Sequence, residues 1–215
     1  MAIDYTLYLV ADAGYAAGRD LPELVDEAVE GGATVVQLRA KGLPKTDVIA
    51  LAGEIARRLR PREVPLLVND HPDVAKACGA AGVHLGQDDM PVPFARRLLG
   101  PEAVIGVSVN TAEEARRAEL EGADYVGAGP AYATSTKETA LAVLGADGLG
   151  LIKRATALPI VAIGGIVPAN AGELARAGVA GIAVVSAILG APDPRRAAAE
   201  LLRAFRAEKK GDRYL

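Results

Sequence analysis

The sequence predicts an α/β chain folded as a single (β/α)8 TIM barrel. Three observations predict it. Short apolar runs rich in Val, Ile and Leu recur about eight times with little alternation, the pattern of strands buried on both faces of a parallel sheet. Helix-like stretches separate the runs, and eight strand–helix beats in 215 residues match such a barrel near its lower length. The first run is followed by Ala11-Asp12-Ala13-Gly14, not by the glycine-rich turn of a dinucleotide-binding open sheet. A doubly wound open sheet is the alternative fold.

The strand-like runs fall at residues 5–10, 34–38, 65–68, 82–85, 104–107, 125–127, 160–163 and 181–185. Between them, residues 22–30 open on Pro22 in a first helical turn and stop at Gly31-Gly32. Residues 74–78 form a short helix, in which Cys78 reads as a small packed side chain rather than a nucleophile. Thr111-Ala112-Glu113-Glu114 is a capping box opening a helix that reaches Glu121 and closes at Gly122. Residues 168–177 end at Gly178, and residues 194–209 make a last amphipathic helix. Residues 1–210 are expected to form one catalytic barrel domain, and 211–215 a frayed tail.

Composition narrows the function classes. Apolar residues make up 51% of the chain, too many for a disordered polymer. The net charge of −3 offers no broad positive field for nucleic acid or an anionic membrane. A lone cysteine rules out an internal disulfide and fits a reducing compartment. No basic-then-apolar leader stands at the start, and no apolar run approaches the roughly 20 residues of a membrane span. A cytoplasmic location is expected. Oligomeric state is left open, a homo-oligomer being compatible with the sequence.

In a barrel of this class the active site lies at the C-terminal ends of the strands. The third run ends in Asn69-Asp70 and the fourth in Gln87-Asp88-Asp89. Neighbouring parallel strands bring Asp70 and Asp89 to one edge. Two carboxylates there suit Mg²⁺, which keeps sites for water and phosphate oxygens. Each also precedes a proline-led helix start, so helix capping is the competing role. The second run ends in Gln37-x-Arg39-x-Lys41, whose alternation puts all three on one side of an extended segment. An arginine clamps phosphate in bidentate fashion and a lysine adds a point charge. The fifth run ends in Ser108-Val109-Asn110, and the sixth opens into a loop carrying Thr134-Ser135-Thr136-Lys137, hydroxyls and an ammonium suited to an anion. Gly164-Gly165 and Val185-Ser186 follow the last two runs, where barrels commonly bind phosphate. His84, inside an apolar run, reads as structural. The pattern offers two anion sites. One is a metal-assisted site with Arg39, Lys41 and Lys137, suited to a diphosphate. The other, near Gly165 and Ser186, suits a monophosphate.

Taken in order, Gln37-x-Arg39-x-Lys41, Asn69-Asp70, residues 82–89, Gly106-Val107-Ser108, Gly129-Pro130, Thr134-x-Thr136-Lys137, residues 163–166 and 184–188 resemble the thiamine-phosphate synthase family. The resemblance implies a (β/α)8 enzyme that joins hydroxymethylpyrimidine diphosphate to thiazole phosphate, giving thiamine phosphate and diphosphate with Mg²⁺ as cofactor. It also implies that Gln37, Leu38, Arg39, Ala40, Lys41, Asn69, Ser108 and Lys137 hold the pyrimidine diphosphate. Arg39, Lys41, Ser108 and Lys137 then serve catalysis, and Asp70 and Asp89 bind the metal. Thr134, Ser135, Thr136, Gly165, Val185 and Ser186 then hold the thiazole phosphate. The chain departs from the family pattern at Gly42, where an acidic residue is frequent, and at Ala131-Tyr132-Ala133, which replaces a bulky-Phe-Pro segment. An isomerase on the same fold, or a non-catalytic phosphate sensor, is the competing reading. The former needs no metal–diphosphate cluster, and the latter calls for an effector segment that the sequence does not display.

Overall fold

The computed structural model describes residues 3–16, 18–134, 136 and 141–209. Eight parallel strands close on themselves in sequence order: β1 (Leu7–Asp12), β2 (Val35–Arg39), β3 (Leu66–Asn69), β4 (Gly82–Leu85), β5 (Val104–Val109), β6 (Tyr125–Ala128), β7 (Ile160–Ile163) and β8 (Gly181–Val184). Strand β1 pairs with β2 on one side and β8 on the other. No open edge remains among them, so the closed barrel stands and the open doubly wound sheet does not. The helices are α1 (Leu21–Glu30), α2 (Lys45–Leu59), α3 (Pro72–Cys78), α4 (Val92–Leu99), α5 (Ala112–Leu120), α6 (Gly145–Ala155), α7 (Pro168–Arg176), α8 (Ser186–Leu189) and α9 (Pro194–Lys209). The tail at 211–215 lies outside the described residues.

Alternation along each strand divides the core in two. Leu7, Leu9, Val36, Leu38, Val68, Val83 and Leu85 face outward into the layer shared with the helices. Tyr8, Val10, Val35, Leu67, Tyr125, Val161 and Ala183 face inward as a second, smaller cluster. Burial on both sides explains the continuous apolar runs. The helix ends follow local chemistry. Asp20 caps α1 by accepting from the Glu23 amide at 2.9 Å. Thr111 and Glu114 form the expected capping box at α5.

Several strand ends differ from the sequence expectation by one or two residues, most at β1 and β5. The first strand runs from Leu7 to Asp12, not over 5–10. Its ladder with β2 continues to Asp12 opposite Arg39, where opposite charges replace apolar contact, so hydropathy alone ends the strand too early. Upstream, the Asp4 carboxylate accepts from the Thr6 amide at 2.9 Å, turning the chain before the ladder begins. Strand β5 likewise reaches Val109, opposite Ala128.

Glycines make room for large rings inside the barrel. A Cβ on Gly106 would lie 2.1 Å from the Tyr125 ring, and one on Gly127 2.9 Å from the His84 ring. Among the described residues no helix is long and apolar enough to cross a membrane. Gly106→Ala is expected to destabilise the fold by roughly 1–3 kcal/mol through overpacking against Tyr125. Urea denaturation measures it, and an unchanged midpoint would contradict this packing.

Candidate functional site

The C-terminal ends of the strands open into a cavity of about 620 Å³. Inward-facing positions climb from apolar to polar as they approach it: Tyr8, Val10 and Asp12 on β1, then Val35, Gln37 and Arg39 on β2. Gln37, Arg39, Lys41, Asn69, Asp70, Asp89, Ser108, Thr134, Thr136, Gly165, Val185 and Ser186 all line this one space. Leu38 and Ala40 do not. The alternation that turns Gln37 and Arg39 inward turns Leu38 into the barrel–helix layer, with Ala40 packed against that layer. Ser135 and Lys137 lie outside the described residues.

The charged groups are arranged in pairs. Arg39 forms an ion pair with Asp12, both half-buried at the strand ends. Lys41 Nζ lies 3.2 Å from Asp70 Oδ2. Asp70 takes a left-handed backbone conformation, φ 63°, uncommon for a residue with a Cβ. Its amide donates to the His84 carbonyl at 2.9 Å. Asp89 accepts from the Gly86 amide at 2.6 Å. Burial, and then the hydrogen-bonded Asp70 carboxylate, raise the Asp89 carboxyl above its ordinary range. Neither aspartate caps a helix. The cap position of α3 is His71 and that of α4 is Pro91. The two carboxylates therefore face each other at the mouth, an arrangement that a cation between them would relieve. Asp88 is exposed on the same rim. Among the described residues no group of three or more His, Cys, Asp or Glu side chains is placed to hold a metal.

Below the charges lies a chain of buried hydrogen bonds. Gln37 Nε2 donates to the Tyr8 hydroxyl at 2.7 Å, and the Tyr8 and Tyr125 hydroxyls meet at 2.8 Å. Tyr125 reaches His84 Nδ1 at 2.8 Å, and His84 Nε2 reaches Ser108 Oγ at 2.9 Å. Burial raises both phenols well above their usual range, so both stay protonated at neutral pH. His84 is thus not an isolated core histidine: it faces inward and touches a residue of the cavity wall.

The other side of the mouth is built by the segment after β6. Ala131 and Tyr132 donate backbone hydrogen bonds to Ile163 and Gly164 at 2.8 and 3.0 Å. A Cβ on Gly165 would lie 2.4 Å from the Ala133 carbonyl. Glycine here permits the close approach of this segment as well as opening the cavity wall. The Tyr132 hydroxyl donates to Glu173 of α7 at 2.8 Å. Burial and then that carboxylate push the phenol up to about 12. Thr136 and Ser186 hydroxyls lie 3.1 Å apart.

Several wall residues were not singled out by sequence. Asp12 follows Val10 at the same two-residue spacing that links Gln37 to Arg39, and extending that alternation would have found it. Tyr8 and Tyr125 look like ordinary core aromatics in sequence. Only barrel closure brings them together across 117 positions. Asn110 ends the fifth run in sequence, but its side-chain bonds to the Gly129 and Ala142 carbonyls at 3.0 and 3.2 Å come only with tertiary structure.

Comparison with known proteins bears on this site. The family model described as thiamine monophosphate synthase matches residues 7–188. The thiamine-phosphate synthase of Chloroflexus aurantiacus is 50% identical over 199 residues, covering 93% of this chain and 92% of that protein. That of Albidiferax ferrireducens is 53% identical over 196 residues, with coverage of 91% and 89%. The solved structure of a thiamine phosphate pyrophosphorylase from Pyrococcus furiosus superposes with a TM-score of 0.86 at 38% identity, covering 95% of this chain and 97% of that one.

The raised Asp89 carboxyl has a consequence for stability. The folded protein binds that proton more tightly than the unfolded chain. The ionised form therefore opposes folding at neutral pH, and acidification through the raised pKa relieves the opposition. Asp89→Asn is expected to raise the thermal midpoint of the ligand-free protein at pH 7, and the gain over wild type should shrink as pH falls. Thermal melts across pH 4–8 check it; a gain that grows on acidification would reverse the assignment.

Proposed function

This chain belongs to the thiamine monophosphate synthase family, and from that premise we propose how its barrel mouth works. The enzyme joins 4-amino-2-methyl-5-(diphosphooxymethyl)pyrimidine to 4-methyl-5-(2-phosphooxyethyl)thiazole, releasing diphosphate and thiamine phosphate. It is a transferase of a substituted methyl group. The observation that carries the site assignment is the convergence of Arg39, Lys41, Asp70 and Asp89 on one cavity. An isomerase of this fold needs a phosphate site and an acid–base residue, but no such cluster.

Arg39 and Lys41 bind the diphosphate, with Asn69 beside them. Lys137 joins them in this assignment by its place in the sequence motif. Gln37 and Ser108 meet the pyrimidine ring. Asp70 and Asp89 hold Mg²⁺; two carboxylates that leave room for water and phosphate oxygens suit its preference. When bound there, the metal would supply charge stabilisation to the departing diphosphate. Thr134, Ser135, Thr136, Gly165, Val185 and Ser186 position the thiazole phosphate on the opposite wall.

The bond that breaks joins the pyrimidine methylene carbon to the diphosphate oxygen, and the oxygen keeps the electron pair. Arg39, Lys41 and Lys137 stabilise that charge as it develops. The methylene cation left behind is stabilised by the electron-rich aminopyrimidine. The thiazole nitrogen then donates its lone pair to that carbon, forming the new C–N bond. Positioning through the phosphate replaces a protein nucleophile.

Incubating both phosphorylated substrates with and without Mg²⁺, and following diphosphate release, tests the reaction. Release is expected only when both substrates and the metal are present. Consumption of one substrate alone would favour the isomerase, and binding without release would favour a sensor. Lys41→Ala should lower kcat on the order of 10²-fold, whereas Cys78→Ala, on the back of α3, should leave it near the parent value. Asp89→Ala should lose turnover most severely at limiting Mg²⁺; near-normal turnover there would sink the metal assignment.

A further inference from the structure

Gln37 and Ser108 sit on different strands, yet one continuous chain of four hydrogen bonds joins them through Tyr8, Tyr125 and His84. We propose that these three residues are positioning residues. They fix a single direction for every proton in the chain, and so fix Gln37 as an acceptor and Ser108 as a donor toward the heteroaromatic ring of the substrate. This inference rests on the aminopyrimidine reaction proposed above and adds what selects the ring.

The direction follows link by link. A phenol carries one proton and, if it accepts one hydrogen bond, donates the next. Gln37 donates through Nε2 to Tyr8, so the Tyr8 proton points to Tyr125. The Tyr125 proton then points to His84 Nδ1, which must be the bare nitrogen of the imidazole. The ring proton therefore sits on Nε2 and is given to Ser108 Oγ. Ser108 Oγ accepts that hydrogen bond and keeps its own proton to donate. At the other end, one of the two Gln37 Nε2 protons is held by Tyr8, which fixes the flip of the amide and leaves Oε1 as its acceptor beside the second N–H. Both residues line the cavity. A ring that satisfies both ends offers a ring-nitrogen acceptor beside an amino donor, as a 4-aminopyrimidine does. A 4-oxopyrimidine offers N–H and C=O in the opposite order and meets a donor with a donor.

Three observations make the chain a built feature. Tyr8 and Tyr125 are buried to 1% and 0% exposure, where bulk water does not reorient their hydroxyls. Gly106 and Gly127 lack the Cβ atoms that would strike the Tyr125 and His84 rings, so two neighbouring strands yield space to it. Among the described residues no buried side-chain nitrogen or oxygen lacks a hydrogen-bond partner. Reversing one link would require reversing the others and flipping the Gln37 amide, since each phenol and the neutral imidazole has a single proton to place.

The test has two arms on the full-length chain. Imidazole ¹⁵N spectra at neutral pH read the tautomer of His84, with His71→Gln identifying the other histidine; the proton is expected on Nε2. Competition between the 4-amino and 4-oxo pyrimidine diphosphates, at saturating thiazole phosphate and Mg²⁺, reads ring selection. Wild type should favour the amino ring by on the order of 10⁴-fold in kcat/KM. Tyr8→Phe, which cuts the chain two links from Ser108, should lower that ratio roughly tenfold or more and weaken the Nε2 tautomer. Tyr125→Phe is the second cut should the first not fold. A proton on Nδ1 in wild type overturns the proposal. So does a variant that slows both rings equally, since loss of packing would do that without changing their ratio. Failure of wild type to release diphosphate from either ring strikes the proposed reaction instead, and the tautomer still decides the direction of the chain.

Discussion

Closure of the sheet is the constraint on which everything else depends. When eight parallel strands meet end to end there is one interior, and the two-residue period of each strand decides which side chains enter it. Tyr8, Gln37, Leu67, His84, Ser108, Tyr125 and Val161 are inside because their neighbours Leu7, Leu38, Val68, Val83, Val107, Val126 and Ala162 are outside against the helices or strand backs. A one-residue slip of any strand would exchange the two sets. The same register that fills the core therefore aims the chemistry.

The interior is not uniformly apolar. Its lower part is filled by Tyr5, Val35 and Leu67, and the Tyr5 and Tyr125 rings lie with centroids 4.7 Å apart. Above them the filling becomes phenol, imidazole, amide and hydroxyl, each with a partner. Polar groups at such depth are tolerated only when satisfied. Their mutual satisfaction gives the cavity a floor whose orientation is set before any ligand arrives. Preorganisation of this kind lowers the cost of ordering a site on binding.

The fold was legible because burial on both faces writes itself into hydropathy. Eight apolar runs and the punctuation of Pro22, Gly31, Thr111, Gly122 and Gly178 lead directly to the barrel. The mouth was legible where charges end a run, as at Arg39, Asp70 and Asp89. It was illegible where contact depends on closure. Asp12 hides behind Ala11 because charge pairing, not hydrophobicity, carries the last rung of β1. The partnership of Tyr8 with Tyr125 has no local signal, since β1 and β6 are distant in sequence. Tyr132, a departure from the family pattern, finds its role only beside Glu173 of a helix that begins 36 residues later.

The pairing of Arg39 with Asp12 and of Lys41 with Asp70, with Asp89 left over, gives these five side chains one negative charge in excess. Taken by themselves, these five groups do not attract a bare polyanion from a distance, because Arg39 and Lys41 are already paired and the surplus repels. Long-range steering is correspondingly small, and screening by salt has little to act on. Capture becomes an exchange of partners at contact. A diphosphate that arrives with its charge largely cancelled by a divalent ion meets no barrier of sign, and each half of the ion–anion pair finds a counter-charge already in place. On the proposed reading, the resting ion pairs would favour a metal-loaded over a metal-free anion, before any group on the organic ring is inspected.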